Sequence, residues 1–260
     1  MLLRTVVFFV LGLGLLLPSH AQSPSKSGCE SLPASTNCKL LDDFESDTTG
    51  APPHRWRTNE GRNSLIRLTN PDAMDPKQNV YVREENGNQF ARVHTEGKAF
   101  RAIMSHKRAL DWDLEKRPVL QWRWRAQALP EGGNEKYDRS NDTGGALYVT
   151  VEKNWLGMPK SIKYTYSSTL PVGTTVDYGP LKVLVVASRA EQGTGEWITH
   201  ERDVLADYDR LFGDNPDGQP LAIMMWSDSD TMNSVGTIDF DDLALLSQPP
   251  RSDSSPASSQ

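Results

Sequence analysis

The stretch Leu120–Ala126 reads LQWRWRA, and its strict alternation of apolar and polar residues indicates a β-strand. Successive side chains of a strand point to opposite faces of its sheet. The apolar set then lies on one face and the polar set on the other: Leu120, Trp122, Trp124 and Ala126 against Gln121, Arg123 and Arg125. The apolar set predicts a core face. The polar set raises the question of what two arginines do on the opposite face.

Most of the chain repeats this strand-like pattern. Residues 80–95, VYVREENGNQFARVHT, read as two β-rich runs around Asn86-Gly87, a dipeptide that favours a hairpin turn. Further β-rich runs follow, separated by Gly, Pro and Asn: FRAIMSH, ALYVTVE, IKYTYSS, LKVLVVAS, EWITHERDV, AIMMWS and TIDFDDLALL. This pattern predicts an all-β protein, a single jelly-roll-like β-sandwich. One short helix is predicted near Val204–Phe212, capped by Asp203 and ended by Gly213.

The last run, TIDFDDLALL at 237–246, contains a break in its alternation. Ile238 and Phe240 share one parity, whereas Leu243 and Leu245 share the other. A strand with one buried face can hold all four only if an extra residue intervenes. The sequence therefore predicts a β-bulge at Asp241-Asp242.

Four segments are predicted along the chain. Residues 1–21 contain Arg4, an apolar run at 6–17 and a Ser-His-Ala ending, which is typical of a signal peptide. Residues 22–39 read as a disulfide-tied linker, residues 40–246 as the β-sandwich domain, and the Ser-rich residues 247–260 as a disordered tail. The signal peptide predicts an exported protein, periplasmic or secreted.

The two cysteines, Cys29 and Cys38, lie just after the signal segment. An exported chain meets an oxidising compartment, so a disulfide between them is predicted. The alternative, a pair of metal-ligating thiolates, lacks a nearby His or a third Cys. The sequence also argues against two kinds of partner. A net charge of −6 argues against binding to nucleic acid, and the apolar run at 6–17 is too short to span a membrane.

A polar binding groove is predicted if LQWRWRA and the runs ALYVTVE and IKYTYSS lie in one sheet. Its open face would collect Gln121, Arg123, Arg125, Tyr148, Glu152 and Lys163, together with Thr150 and Thr165. Arginines and hydroxyls grip sugar hydroxyls or carboxylates, and aromatic rings stack on sugars. Trp155 and Trp226, near strand ends, are candidate platforms. The alternative is a solvated face whose arginines pair with Glu152.

Carboxylates cluster at both ends of the domain. Asp42 and Glu45 lie near its start and Asp241 near its end, and the first and last strands of a jelly roll often pair. Together these acids would form a structural calcium site, because Ca²⁺ takes several oxygen ligands. The alternative is ordinary acids at strand ends. Residues 227–234, SDSDTMNS, begin like a calcium loop but lack its glycine and closing glutamate.

Catalytic patterns are scarce. The sequence has no HExxH, no GxSxG and no phosphate-binding loop, and its histidines are scattered. The leading hypothesis is therefore non-catalytic binding of a glycan or cell-envelope polysaccharide. A polysaccharide lyase-like enzyme on the same fold, and a periplasmic scaffold protein without a small ligand, are the alternatives. An open groove with an exposed aromatic ring would favour binding, whereas a flat, ion-paired face would favour the scaffold.

Several separated motifs carry a resemblance. They are Trp122-Arg-Trp-Arg125, the run YTYSSTLPVGT from Tyr164, Trp197 with Glu201-Arg-Asp-Val204, Asp207-Tyr208 with Leu211-Phe-Gly213, and AIMMWSDSD from Ala222. In this order they resemble an exported bacterial family of unknown function numbered 3047, over nearly all of residues 40–246. The resemblance implies no activity. More loosely, the Asp-Asp-Phe-Glu start and Asp-Phe-Asp-Asp-Leu end are similar to those of β-sandwich carbohydrate-binding modules.

Overall fold

Two β-sheets stack on a shared apolar core. The structure is a computed structural model, which describes residues 28–30, 32, 36–60, 64–68, 74–106, 108–216 and 219–247. The predicted signal peptide, linker residues 22–27 and tail residues 248–260 lie outside the described residues. Within the described ranges, no helix is long and apolar enough to cross a bilayer.

The predicted β-sandwich is confirmed. In chain order the strands are β1 (Cys38–Asp42), β2 (Arg57–Glu60), β3 (Ser64–Arg67), β4 (Gln78–Glu85), β5 (Asn88–Glu96), β6 (Ala99–Ser105), β7 (Val119–Ala128), β8 (Thr143–Lys153), β9 (Pro159–Ser167), β10 (Thr175–Tyr178), β11 (Leu181–Ser188), β12 (Ile198–Asp203), β13 (Ala222–Asp228) and β14 (Val235–Leu246). The first sheet has the order β12-β7-β14-β5-β4, and β1 also pairs with β14. The second has the order β10-β11-β9-β8-β13-β6-β2-β3.

The apolar face of LQWRWRA lies in the core, as predicted. Trp122 and Trp124 on β7 are fully buried. Their ring centroids lie 5.5 Å from those of Tyr164 and Tyr166 on β9, so these aromatic pairs join the two sheets. Burial of one such side chain contributes on the order of 3 kcal/mol, which explains why the alternation of this strand is so strict.

The predicted helix is present with both of its predicted ends. Helix α2 (Val204–Phe212) follows a one-turn helix, α1 (Arg189–Gln192), which the sequence analysis missed. The Asp203 side chain accepts a hydrogen bond from the Ala206 amide at 2.9 Å, so it caps the first turn. Gly213 ends the helix in the left-handed conformation, with φ 77°.

Two local predictions about turns and bulges are confirmed. Asn86 and Gly87 join β4 to β5 with φ values of 55° and 79°, as a two-residue hairpin turn of this type requires. In β14, pairing with β7 shifts register between Asp241 and Ala244, and Asp242 has φ 49°. The bulge brings both parity sets of this strand into the core, so all four side chains used in the prediction are fully buried: Ile238, Phe240, Leu243 and Leu245.

The predicted disulfide between Cys29 and Cys38 is present, with a Cα–Cα distance of 5.6 Å. Cys38 is already the first residue of β1, whereas the sequence analysis placed it in the linker. Strand β1 pairs with β14, so the first and last strands of the domain are neighbours. The Gly28 amide also donates to the Asp242 carboxylate at 3.0 Å, which fastens the disulfide loop onto the bulge of β14.

Candidate functional site

The predicted groove residues do not share one sheet, so that part of the prediction is wrong. Gln121, Arg123 and Arg125 lie on β7 in the first sheet, whereas β8 and β9 belong to the second. The set therefore divides between opposite outer faces of the sandwich. Tyr148, Glu152 and Lys163, with Thr150 and Thr165, lie on the second sheet.

On the first sheet, the arginines of β7 form ion pairs with aspartates of β14. Asp239 is fully buried and accepts from Arg92 Nε at 2.6 Å and from Arg125 Nε at 3.0 Å. Gln127 Nε2 adds a third donor at 3.0 Å. Such charge-assisted bonds hold both guanidinium planes in place. We call Arg92, Arg123, Arg125, Asp239 and Asp241 the arginine–aspartate layer.

Arg123 completes this layer. Its Nη2 lies 2.6 Å from Asp241 Oδ2, and its Nε lies 3.0 Å from Asp242 Oδ2. The Trp197 ring covers both β7 arginines, with its centroid 4.7 Å from each guanidinium carbon. Burial and the neighbouring Asp242 raise the pKa of Asp241 to about 7, and Arg123 opposes this rise. The predicted ligand-binding arginines are therefore already held by carboxylates and a tryptophan.

The three acids of the predicted calcium site have protein partners instead. Asp42 accepts from Trp56 Nε1 at 2.8 Å, and burial raises its pKa to about 6. Glu45 accepts from the Gln89 amide at 2.8 Å, and Asp241 accepts from Arg123. Among the described residues, these three do not converge on a common point close enough for one cation, so the structure does not support the grouping.

Glu152 does not pair with the arginines of β7, so that alternative for the arginines is also wrong. Its Oε1 lies 2.8 Å from Lys160 Nζ and accepts from the Tyr208 hydroxyl of α2. Glu152 and the arginines lie on different sheets. The prediction failed because period-two alternation does not show which strands are neighbours. Glu152 therefore fastens α2 to the second sheet.

The outer face of the second sheet carries an aromatic pair between two clefts. The rings of Tyr148 on β8 and Trp226 on β13 lie 5.1 Å apart between centroids. Tyr148 is buried and Trp226 is partly exposed. Trp226, which the sequence analysis named as a platform, lines one cleft, and Tyr148 lines the other.

The larger cleft has a volume of about 570 Å³ and lies over β2, β3, β6 and β13. Polar and charged residues line it beside Trp226: Asn59, Arg67, Asp75, Gln78 and Arg101. The Arg101 guanidinium carbon lies 5.2 Å from the Trp226 ring centroid, and its Nε donates to Asn59 at 2.9 Å. We call this space the basic cleft. It offers an aromatic ring and fixed donors side by side.

The smaller cleft, about 250 Å³, has the opposite charge. Its lining includes Glu135, Asp138 and Asp228 around Tyr148 and Lys163. The buried Lys163 Nζ donates to Thr143 Oγ1 at 2.8 Å and lies 5.7 Å from the Tyr148 ring centroid. Burial raises the pKa of the Tyr148 phenol. We call this space the acidic cleft, and the predicted residues Tyr148 and Lys163 form part of its wall.

One group of carboxylates in this region is close enough to share a cation. Oxygens of Asp142, Asp228 and Asp230 lie within 4.8 Å of one another. Burial, followed by repulsion from Asp230, raises the pKa of Asp228 to about 6. Asp142 also accepts from the amides of Thr231 and Met232, at 3.0 and 2.8 Å. Two of these acids belong to the SDSDTMNS loop, so its carboxylates do converge even though it fails as an EF-hand.

Sequence reasoning missed most residues of the two clefts. Arg101 and Asn59 had no distinguishing pattern, since they lie on strands β6 and β2 that meet only through pairing of distant segments. Glu135 lies in the loop before β8 and is buried, accepting from Thr143 and Ser167. A usable signal did exist in AIMMWSD. Its alternation sets Met224, Trp226 and Asp228 apart from the buried Ile223 and Met225.

Comparisons with known proteins found one matching family model and several similar solved structures. A family model described as "Protein of unknown function (DUF3047)" matches residues 70–244. No curated protein matches the chain. Among solved structures, it is similar to the family 11 carbohydrate-binding module of cellulase Lic26A-Cel5E of Clostridium thermocellum, with 14% identity, a TM-score of 0.42, and coverage of 82% of this chain and 95% of that one. It is also similar to the family 30 carbohydrate-binding module of cellulase Cel9D-Cel44B of the same organism, with 10% identity, a TM-score of 0.42, and coverage of 81% of this chain and 98% of that one.

Proposed function

The chain belongs to the DUF3047 family, as its motifs predicted, and we propose that this member binds a glycan without catalysing its cleavage. The binding surface in this proposal is the outer face of the second sheet. The observation that carries it is the Tyr148–Trp226 pair, which stands between the basic and acidic clefts. A partly exposed indole ring can stack on the apolar face of a sugar, while neighbouring polar groups bind its hydroxyls.

The polar groups beside the pair are fixed by the fold. Arg101 and Trp226 are cross-strand partners in β6 and β13, so their relative positions follow from sheet register. Tyr148 and Lys163 are cross-strand partners in β8 and β9 in the same way. A site built on paired strands is ordered before the ligand arrives, which lowers the entropy cost of binding.

The first sheet offers less to a glycan. Its β7 arginines were predicted to bind the glycan, but each has its guanidinium committed to a β14 aspartate. A ligand bound there would have to displace a charged partner that is itself buried. An ion-paired face of this kind is what we would expect of a scaffold protein. The two clefts of the second sheet, with the partly exposed Trp226, are what we would expect of a binding protein.

A lyase-like activity receives less support from the same residues. Such an enzyme needs a base to remove a proton from the sugar. Burial raises the pKa of Tyr148 above its usual value of 10, so its phenol stays protonated near neutral pH and is a poor base. The Arg123 guanidinium, which would neutralise a uronate carboxylate, is held by Asp241 and Asp242.

The test is the Trp226→Ala variant. We expect the protein to bind plant or bacterial wall polysaccharides on a glycan array, and this variant to bind the strongest of them about 10-fold more weakly or worse, because loss of a stacking ring costs on the order of 1.4 kcal/mol. Affinity electrophoresis measures the change. Trp155→Ala is the matched control, since Trp155 is 91% exposed on the β8–β9 turn and lines neither cleft.

Two results would contradict the proposal. Absence of binding to every glycan tested would remove the function itself. Equal affinity in the Trp226→Ala variant and the unsubstituted protein would rule out the proposed site. If, in addition, Trp155→Ala alone loses affinity, the binding site lies on the β8–β9 turn. Thermal unfolding of both variants shows whether the fold is intact, and an unsaturated-product absorbance assay on the bound glycan detects any lyase activity.

A further inference from the structure

Two arginines that line the basic cleft, Arg67 and Arg101, differ in their pairing from the arginines of the arginine–aspartate layer. The arginine–aspartate layer pairs each of its cations with a carboxylate. In contrast, among the carboxylates whose side chains the structure describes, none forms an ion pair with Arg57, Arg67, Arg101 or Arg108. Asp75 lines the cleft, and its Oδ1 accepts from the Lys77 amide. Among the described side chains, the positive charges of Arg67 and Arg101 are therefore not balanced by an ion pair.

The pairing of strands brings these charges together at a cost. Arg57 on β2 and Arg67 on β3 are directly opposite each other in an antiparallel pair, an arrangement in which like charges repel. Arg57 also pairs with Ile103 of β6, the strand that carries Arg101. Burial, followed by repulsion from Arg67 and Arg108, lowers the pKa of Arg57. A bound anion would relieve this repulsion.

The charge of the rest of the chain makes this cluster distinctive. The protein has a net charge of −6, so an anionic ligand is repelled unless it meets a local positive surface. The acidic cleft beyond the aromatic pair contains Glu135, Asp138 and Asp228, which would repel a second anionic group. The face therefore has a positive end and a negative end, separated by Trp226 and Tyr148.

We infer that the basic cleft binds an anionic sugar unit, carrying a carboxylate or a sulfate ester, through Arg67 and Arg101 while the sugar ring stacks on Trp226. This inference rests on the proposed glycan-binding function. Arg101 is already oriented, since its Nε donates to Asn59 and its guanidinium carbon lies 5.2 Å from the Trp226 ring centroid. Its terminal nitrogens can donate to two oxygens of a carboxylate or sulfate. Arg67 is exposed at the wall of the same cleft and can approach the anion from the other side.

Two matched pairs of polysaccharides test the charge requirement. Polygalacturonate is compared with its highly methyl-esterified form, and dextran sulfate with dextran, by isothermal titration calorimetry on the full chain. We expect the anionic member of at least one pair to bind at least 10-fold more tightly than its neutral partner. The pair that responds identifies the anion as carboxylate or sulfate. Affinity for that ligand should also fall as salt concentration rises.

Substitutions test the residues. Arg67→Gln and Arg101→Gln should each weaken binding of the anionic polysaccharide at least 5-fold and reduce its salt dependence. Arg83→Gln is the control, because Arg83 is an exposed arginine on the first sheet, over the Tyr81 ring. Equal binding of the neutral and anionic members, with Trp226→Ala still abolishing it, would overturn this inference and leave the proposed function standing. Binding of no glycan would overturn both.

Discussion

The Asp239→Asn variant is expected to unfold with a free energy about 3–5 kcal/mol lower than that of the unsubstituted protein. Asp239 is fully buried and accepts hydrogen bonds from two arginines and Gln127. An asparagine has the same shape but no charge, and its NH₂ group would face donors. Arg92, whose side chain is 31% exposed, would then lose its carboxylate, and Arg125 would keep only its 2.7 Å ion pair with the half-exposed Glu85. Leaving partly buried charges without their shared counter-ion is the costly part of breaking such a pair.

Urea unfolding followed by tryptophan fluorescence measures this loss. The control is Asp111→Asn, because Asp111 also pairs with a cation, Lys39, but its side chain is 89% exposed. An exposed pair contributes at most about 1 kcal/mol, so the control should change the free energy little. Similar small losses in both variants would show that solvent screens Asp239 and that the layer does not stabilise the fold.

A compensating variant separates the missing charge from poor packing. Replacing Arg92 and Arg125 with methionine and Asp239 with leucine removes all three charges while keeping side-chain volume. We expect this triple variant to regain most of the stability that Asp239→Asn loses, since buried ion pairs are often replaceable by apolar groups. If the triple variant is less stable than the single one, the hydrogen-bond geometry matters more than the balance of charge.

The LQWRWRA strand shows how far sequence could predict this fold. Period-two alternation assigned its apolar residues to the core, and Trp122 and Trp124 are buried there. Local signals also gave the Asn86-Gly87 turn, the ends of α2 and the bulge of β14. Each of these features depends on residues that are close together in the sequence, so it can be predicted from a single sequence.

The site was harder to predict because it depends on which strands are neighbours. β7 pairs with β12 and β14, whose residues lie some distance along the chain, and not with the nearby β8. The alternation that correctly separated two faces of β7 carries no information about its sheet. The arginines of the basic cleft converge in the same way, through the register of β2 with β3 and β6. Of the residues named for the basic cleft, Trp226 alone was identified from the sequence, as an aromatic ring near a strand end.

The second large effect is expected from pH, through His200. Its ring lies 5.2 Å from the rings of both Trp122 and Trp124, between centroids. Burial, with a smaller contribution from Arg202, lowers its pKa from 6.5 to about 4. Between these values the unfolded chain binds a proton at this residue and the folded chain does not. Stability therefore rises with pH across this window and is lost as pH falls from 6.5 to 4.

The expected size is about 3 kcal/mol, because each unit of pKa shift corresponds to about 1.4 kcal/mol. Asp241 acts in the opposite direction. Its folded pKa of about 7 exceeds the ordinary value of 3.8, so the folded chain holds the extra proton and stability falls as pH rises through this range. Burial also raises the pKa values of Asp42 and Asp228 to about 6, so these two acids act in the same direction as Asp241. The pH profile of the unsubstituted protein combines all of these effects. The informative quantity is the difference between its profile and that of a variant without His200.

His200→Phe keeps an aromatic ring between the tryptophans and removes the titrating nitrogen. We expect the unfolding free energy of this variant, measured in urea from pH 4.5 to 7, to lack the loss toward acid that His200 causes. His200→Gln removes both ring and charge, so it should be less stable at pH 7, but its profile should lack the same loss of stability toward acid. Parallel profiles for all three proteins would mean that water reaches the imidazole and that the histidine is not buried as a neutral group. If both variants lack the loss of stability toward acid that the unsubstituted protein shows, the aromatic core joining the two sheets contains a residue that destabilises it on acidification.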